Sequence, residues 1–306
     1  MFLNTDSKYI WLNGSFQPFN DTNIHLLSHT LHYGLGAFEG VRAYQTSNGG
    51  AIFRLRDHTE RLFDAAKKIN ITIPYSIEEL EKVQKETMSK NNLKEGYIRP
   101  IVFLGSESMG LRAKDEVSVN VAVACWEWPS YMSPEAKKQG ISIIKSPFQQ
   151  YENPLYSNNK IIGTYINSIM ALHDALAKNA DEAILMDKNG FISEGSGENL
   201  FIIKGSKLMT PKTDFCLNGL TRQSVLQIAI NLKIEVEEAD LTFDDLLESD
   251  EAFFSGTAVE ITPITRVNET TIGSGTIGPM TEILQSKYSD IVCGNDTQYS
   301  DWLTSI

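Results

Sequence analysis

YSNNKIIGTYINS, Tyr156 to Ser168, carries a single lysine, Lys160, into an apolar turn containing Gly163 instead of onto a charged surface. A strand-like run, Gly140 to Lys145, precedes it, and a helical pattern beginning near Tyr165 follows. Burial disfavours an ammonium ion and lowers a lysine pKa, and the neutral amine is the form that makes a Schiff base with an aldehyde. The plainer reading is a solvated lysine just ahead of a helix. The stretch by itself leaves both open.

Outward from it, composition narrows the classes. A chain of 306 residues, 42% of them hydrophobic, is long enough for two domains with a sizeable core. With 39 acidic against 27 basic residues the net charge is −12, which argues against nucleic acid or an anionic membrane surface as partner. No apolar run is long enough to span a bilayer. The beginning, MFLNTDSKYIWLNG, lacks the basic-then-apolar order of a secretory signal. Cys125, Cys216 and Cys293 are far apart and form no CxxC, which fits buried thiols in a reducing compartment. A cytoplasmic protein is expected.

Asn13-Gly14 predicts a hairpin turn between the arms of Tyr9 to Phe16. His25, His29 and His32 could share a helix face, but no cysteine or carboxylate joins them at ligand spacing, so no metal is expected. Gly34, Gly36 and Gly40 make GxGxxxG, not the dinucleotide fingerprint; a turn approaching a ligand fits better, with Phe38 as wall and Arg42 on the next strand. Asp57 and Glu60 predict a helix start, with Leu62, Ala66 and Ile69 inward and Arg61 at the edge as surface residue or anion ligand. Ser76 and Glu79 predict a second capping box.

In GYIRPIVFLG, Gly96 to Gly105, strand alternation puts Tyr97, Arg99, Ile101 and Phe103 on one face. An arginine in such a strand needs an anion, either a structural Asp or Glu or the carboxylate of a substrate. After a strand ending at Trp126, WEWPSYMSPEAKKQG reads as a linker. The helix from Tyr165 is expected to bury Ile166, Ile169, Met170 and His173. Thr221, behind Gly219, is placed just before a helix with Val225, Ile228, Ala229 and Leu232 inward. Such a start, with its amides and dipole, suits a phosphate or is simply a capped helix. The strand from Glu251 ends in SGTA, whose amides could hold a second anion.

These pieces together resemble a known family. HYGLGAFEGVRAY, HTERL, YIRP, MGL, the Lys160-to-Tyr165 spacing, SEGSGENLF, GLTR and SGTAVEITP are similar, in order and in register, to the branched-chain aminotransferases of the class IV, fold-type-IV pyridoxal-phosphate enzymes. The resemblance runs from about Tyr9 to about Leu284. It implies a two-domain α+β / α/β fold, with a smaller α+β domain over 1–125, a linker over 126–137 and a larger, distorted-barrel domain over 138–306. The activity it implies is ping-pong transfer of an amino group between leucine, isoleucine or valine and 2-oxoglutarate, with pyridoxal 5'-phosphate as cofactor. The alternatives in the same fold are a D-amino acid transaminase, an R-selective amine transaminase and aminodeoxychorismate lyase. YIRP together with FEGVR favours the branched-chain type.

Carried over position by position, the resemblance makes Lys160 the Schiff-base lysine and proton carrier and Glu194 the carboxylate beside the pyridine nitrogen. It sets Tyr165 beside the ring hydroxyl and Arg61, Leu220, Thr221 and Thr257 around the phosphate. On the substrate side it puts Tyr97, Thr257 and Ala258 at the α-carboxylate and Arg99 at the side-chain carboxylate of glutamate. Phe38, Gly40, Trp128 and Tyr131 become walls, with Arg42 organising that side. Tyr33 and Leu111 would reach into the site of a partner copy, so a homodimer or higher homo-oligomer is implied. One segment departs from the pattern: YENPLYSNNK is bulkier and more polar than the small-residue run usual before the lysine.

Overall fold

The computed structural model describes residues 8–128 and 132–306. The chain divides into two units, one taking Met1–Pro129, Lys160–Thr164 and Ile291–Ile306, the other Ser130–Asn159 and Tyr165–Asp290. This corrects the expectation of an unbroken second domain over 138–306. Backbone pairing draws both returning segments into the first unit: Leu303–Ser305 adds an antiparallel edge strand at Ala51 to Phe53, and Ile161 bridges Ala37. No helix among the described residues is long and apolar enough to cross a membrane.

In the first unit, β1 (Tyr9–Leu12) and β2 (Ser15–Pro18) form the predicted hairpin. Asn13 and Gly14 turn it with φ of 48° and 96°, the left-handed pair that matches strand twist. Then come β3 (Gly36–Phe38), β4 (Val41–Thr46), β5 (Gly49–Phe53), β6 (Gly96–Leu104) and β7 (Val119–Trp126). The sheet runs C-terminal strand, β5, β4, β6, β7, β1, β2, with β3 also on β6. Its helices are α1 (His29–Tyr33), α2 (Leu55–Lys68) and α3 (Ile77–Lys90). The Ser76–Glu79 capping box opens α3 as predicted. By contrast α2 starts two residues before Asp57, because Arg54 adopts the left-handed conformation (φ 51°) and turns the chain directly out of β5.

A proline inside the central strand β6 needs explaining, since it gives no donor to a ladder. Pro100 faces the interruption between β3 and β4, where its carbonyl accepts from the Glu39 amide at 2.9 Å. The break that tolerates the proline is the same break that turns the Glu39 side chain inward.

The second unit holds β8 (Ile141–Gln149), β9 (Glu182–Met186), β10 (Ile192–Gly195), β11 (Asn199–Lys204), β12 (Lys207–Pro211), β13 (Glu235–Ala239), β14 (Glu251–Gly256), β15 (Glu260–Val267) and β16 (Thr270–Thr271). They form one mixed sheet in the order β10, β9, β8, β15, β14, β11, β12, β13, with β16 on β15. Its helices are α4 (Pro134–Gln139), α5 (Pro154–Ser157), α6 (Tyr165–Ala177), α7 (Leu220–Asn231), α8 (Phe243–Leu247) and α9 (Pro279–Val292). Parallel pairs β8–β9 and β12–β13 are connected through α6 and α7, as parallel strands require a crossover. Ile143, Ile184, Leu200, Ile202, Phe254 and Ile264 centre its core.

The stripe expected inside α6 lies outside. Ile166, Ile169 and Met170 are 63%, 49% and 44% exposed, and His173 is exposed as well. The helix instead seats Ala171 and Ala175 on Ala180, Ala183 and Leu185. Small side chains let its backbone lie close to the strands, and that contact outweighs the larger apolar face.

One buried amide ties the first unit together. Asn91, which ends α3, accepts from the Lys8 and Tyr9 amides (2.6 and 3.0 Å) and donates to the carbonyls of Tyr9 and Thr87 (3.0 and 2.8 Å). Asn91→Ala strips those backbone groups of partners at once and is expected to cost about 2 kcal/mol, lowering Tm by several degrees. Thermal unfolding followed by circular dichroism checks this; an unchanged Tm would mean the strand-to-helix tie carries no stability.

Candidate functional site

Lys160 returns to the first unit along β3. The Phe38 amide donates to the Lys160 carbonyl at 3.1 Å, and the Gly163 amide donates to Gly34 at 2.9 Å. Gly34 must lack a side chain: a Cβ there, at φ 71°, would stand 2.7 Å from the Gly163 Cα, while a Cβ on Gly163 would be a tight 3.2 Å from the Gly34 carbonyl oxygen. This close approach carries the lysine to the Phe38 ring, with Nζ 5.7 Å from its centroid.

Phe38 also faces Arg99. The Arg99 guanidinium carbon stands 4.6 Å from the Phe38 centroid, 5.4 Å from Tyr97 and 5.9 Å from Trp126. Its Nη2 donates to the Tyr97 hydroxyl at 3.3 Å, while its Nε is buried without a hydrogen-bond partner. No carboxylate among the described residues pairs with it. Of the two anions the sequence allows, a structural acid and a substrate carboxylate, the structural acid is absent there. Aromatic faces supply some cation–π stabilisation in its place.

The Tyr97 ring packs at a tilt against Trp126 and Trp128, with centroids 5.1 and 4.7 Å away. Its hydroxyl lies where any side chain at position 40 would go: a Cβ on Gly40 would come within 1.8 Å of it. Gly40 is thus required by contact, not by backbone angle. Arg42 is the cross-strand partner of Tyr97 and lies over the Tyr44 ring at 5.0 Å. Its Nη2 donates to the Trp128 carbonyl at 3.5 Å. Tyr131 falls outside the described residues.

Arg61, read from its helix position as a surface residue or an anion ligand, is 17% exposed and engaged by Glu39. Arg61 Nε donates to Glu39 Oε1 at 2.6 Å, and Nη2 to Oε2 at 3.0 Å. His58 Nδ1 meets Oε2 at 2.9 Å, and the Gly40 amide donates to the same oxygen at 3.2 Å. Burial by itself would raise the Glu39 pKa, but the Arg61 charge and the contacts to His58 and Arg61 hold it well below the carboxylate range. Burial lowers the His58 pKa, with Arg61 and Lys160 acting the same way, against the opposing pull of Glu39. Neither Glu39 nor His58 stood out in the sequence. The signal was there only as an acid between two largely apolar strand runs.

Tyr33 and Leu111 lie at the rim of this unit, 43% and 87% exposed. A contact between His29 Nε2 and the Gly110 carbonyl, 3.1 Å, holds α1 beside the 110 loop.

In the second unit a bulge in β10 between Ile192 and Glu194 re-aims the following side chain. The Glu194 carboxylate, 9% exposed as a residue, accepts from Gln150 Nε2 (2.6 Å), the Leu217 amide (3.1 Å) and Asn199 Nδ2 (3.4 Å). Gln150 and Asn199 were not singled out by sequence. Together these donors, all neutral, fix the orientation of the carboxylate. Asn199 also holds the Leu217 carbonyl at 2.8 Å, and a Cβ on Gly219 would strike its Oδ1 at 2.1 Å. Next to them α7 begins at Leu220, with Gly219 as N-cap and no side chain capping it. Thr221 is therefore inside the first turn, not ahead of it, and is buried. Thr257 and Ala258 form the turn between β14 and β15, and half-buried Tyr165 opens α6. The expected residues other than Tyr131 are thus divided between the two units.

The relatives agree with that chemistry. The family model for class IV amino-transferases matches residues 36–267. The branched-chain-amino-acid aminotransferase of Pseudomonas aeruginosa is 46% identical over 298 residues, covering 97% of both chains. The Escherichia coli protein of the same name is 38% identical, covering 98% of each. Among solved structures, a T.th. branched-chain amino acid aminotransferase complexed with N-(5'-phosphopyridoxyl)-L-glutamate aligns at TM-score 0.93 and 38% identity over 98% of each chain. The same protein with pyridoxamine 5'-phosphate aligns at TM-score 0.94 and 39% identity, again over 98% of each chain. By the extent of these matches, the chain belongs to the class IV amino-transferases, in the family of branched-chain-amino-acid aminotransferases.

Proposed function

We propose that the chain transfers the amino group between L-leucine, L-isoleucine or L-valine and 2-oxoglutarate by a ping-pong cycle, with pyridoxal 5'-phosphate, in the cytoplasm. The residues fit that cofactor in kind: a lysine set against an aromatic wall, a carboxylate held by neutral donors, and a helix start that no side chain caps. Lys160 would hold the aldehyde carbon, Glu194 the ring nitrogen and Tyr165 the ring hydroxyl. Arg61, Leu220, Thr221 and Thr257 would hold the phosphate. When bound, the cofactor supplies a ring able to accept the electrons left at the substrate Cα.

The observation that carries the substrate reading is Arg99. A guanidinium among aromatic rings, with its Nε unsatisfied, offers a charge-assisted site for the distal carboxylate of glutamate or 2-oxoglutarate. The same rings give an isobutyl group an apolar wall. Tyr97, with the Thr257-Ala258 turn, takes the α-carboxylate, and Phe38, Gly40, Trp128 and Tyr131 shape the pocket beside Arg42. Lys160 Nζ takes the proton from the substrate Cα and returns it in the second half of the step, as a neutral amine can.

The assembly is read as a homodimer or a higher homo-oligomer of such chains. Ile24, Leu26, Leu31, Met109 and Leu111 are large apolar residues left 40% to 87% exposed around Tyr33. A patch of this kind on a folded unit supports burial against a second copy.

Lys160→Ala should lose at least about a thousandfold in steady-state turnover, the scale of a lost proton carrier and nucleophile, without a drop in Tm. Residual turnover near wild type would remove Lys160 from its role. Arg99→Met should slow the 2-oxoglutarate half-reaction about a hundredfold and the leucine half-reaction far less. Stopped-flow spectra of each half-reaction measure the two separately, and equal losses would rule out carboxylate recognition by Arg99. Leu111→Asp should shift the protein toward monomers in light scattering coupled to size exclusion; an unaltered mass would place the interface elsewhere.

A further inference from the structure

Between Phe38 and Gly40, both assigned to the substrate wall, Glu39 points the other way and is fully buried. Its two oxygens take the Nε–Nη2 edge of Arg61, the ring of His58 and the amide of Gly40. We propose that Glu39, braced by His58, is a positioning residue that locks the Arg61 guanidinium for the cofactor phosphate. This rests on the reading of Arg61 as a phosphate ligand.

An arginine side chain has many rotamers, and a bidentate carboxylate fixes both the plane and the rotation of its fork. The brace is itself held. A carboxylate only accepts, so His58 Nδ1 must carry the proton, and the neutral form favoured by burial fixes the ring as a donor at that nitrogen. His58 and the Gly40 amide together keep Oε2 from swinging toward water. The arrangement also sacrifices attraction for order. The carboxylate cancels most of the arginine charge, so its presence beside an anion site is unfavourable on charge alone. A fully buried acid retained there makes sense through the orientation that it imposes.

Charge and positioning therefore predict opposite signs. Glu39→Gln removes a negative charge near the phosphate and also weakens the fork. If charge dominated, phosphate-bearing ligands would bind more tightly; if positioning dominates, they bind less tightly. The probes are pyridoxamine 5'-phosphate, which makes no Schiff base with Lys160, and pyridoxamine, which lacks the phosphate. Both are titrated by calorimetry into the full chain freed of cofactor.

Glu39→Gln should weaken the phosphorylated probe about 10-fold to 100-fold, as expected when one partner of a buried charged pair is lost, and change pyridoxamine affinity by less than about twofold. His58→Leu should weaken the phosphorylated probe by several-fold, and His58→Asn, which keeps an N–H donor, should restore it. In an Arg61→Ala background, Glu39→Gln should add little, because the residue acts through the arginine. Tighter or unchanged binding in Glu39→Gln overturns the proposal, as does an equal loss for both probes with a lowered Tm. Should Arg61→Ala itself leave the affinity for pyridoxamine 5'-phosphate intact, the phosphate reading of Arg61 fails and the proposal falls with it. A loss in Arg61→Ala with none in Glu39→Gln sinks the positioning role alone.

Discussion

The hydrogen bond from the Phe38 amide to the Lys160 carbonyl fixes the arrangement on which the first unit's site depends. The approach depends on Gly34, where a Cβ would collide with the backbone of Gly163. Once Lys160 lies along β3, the end of that strand and the break after it distribute the following residues: the Phe38 ring toward the lysine, the Glu39 carboxylate into the interior, and Gly40 under the Tyr97 hydroxyl. Three consecutive residues thus serve three separate tasks, and the interruption opposite Pro100 gives them room.

Two buried acids show how surroundings decide what a carboxylate does. Glu39 faces a guanidinium, an imidazole and an amide, and its charge is spent on holding Arg61. Glu194 accepts from two carboxamides and a backbone amide, which orient it. Replacing the carboxylate at position 39 by a neutral group would take from Arg61 the two-point contact that holds its fork.

Much of this was legible in the sequence. Asn13-Gly14, the Ser76–Glu79 box and the strand from Gly96 appear where local chemistry put them. The unusual lysine turn and the arginine in an apolar strand were also visible as anomalies, because each breaks a pattern whose cost is known. What local pattern could not supply was the partner. Arg61 looked like a helix-edge cation since its acid lies 22 residues earlier, across a strand break. The α6 stripe misled for a related reason. Periodicity reports that a helix has an apolar face, whereas the strands beneath it accepted the alanine side instead. The domain boundaries failed at the returns, since a three-residue edge strand and a five-residue loop carry too little pattern to announce where they pair.

On the proposed reaction the site serves two side chains of opposite character, and the composition of the proposed wall fits that. A pocket lined only with aliphatic groups would reject a propionate, and an arginine paired with a fixed acid would be neutralised against it. Arg99 avoids both by resting on Phe38, Tyr97 and Trp126, whose ring faces attract a cation weakly and tolerate an isobutyl group equally well. Its unsatisfied Nε would make a carboxylate-bound state the better-bonded one, while the aromatic faces keep the empty state from being prohibitive. A lysine at this position could not do the same, because its compact ammonium is more strongly hydrated and presents no planar fork to stack on rings or to grip a carboxylate at two points.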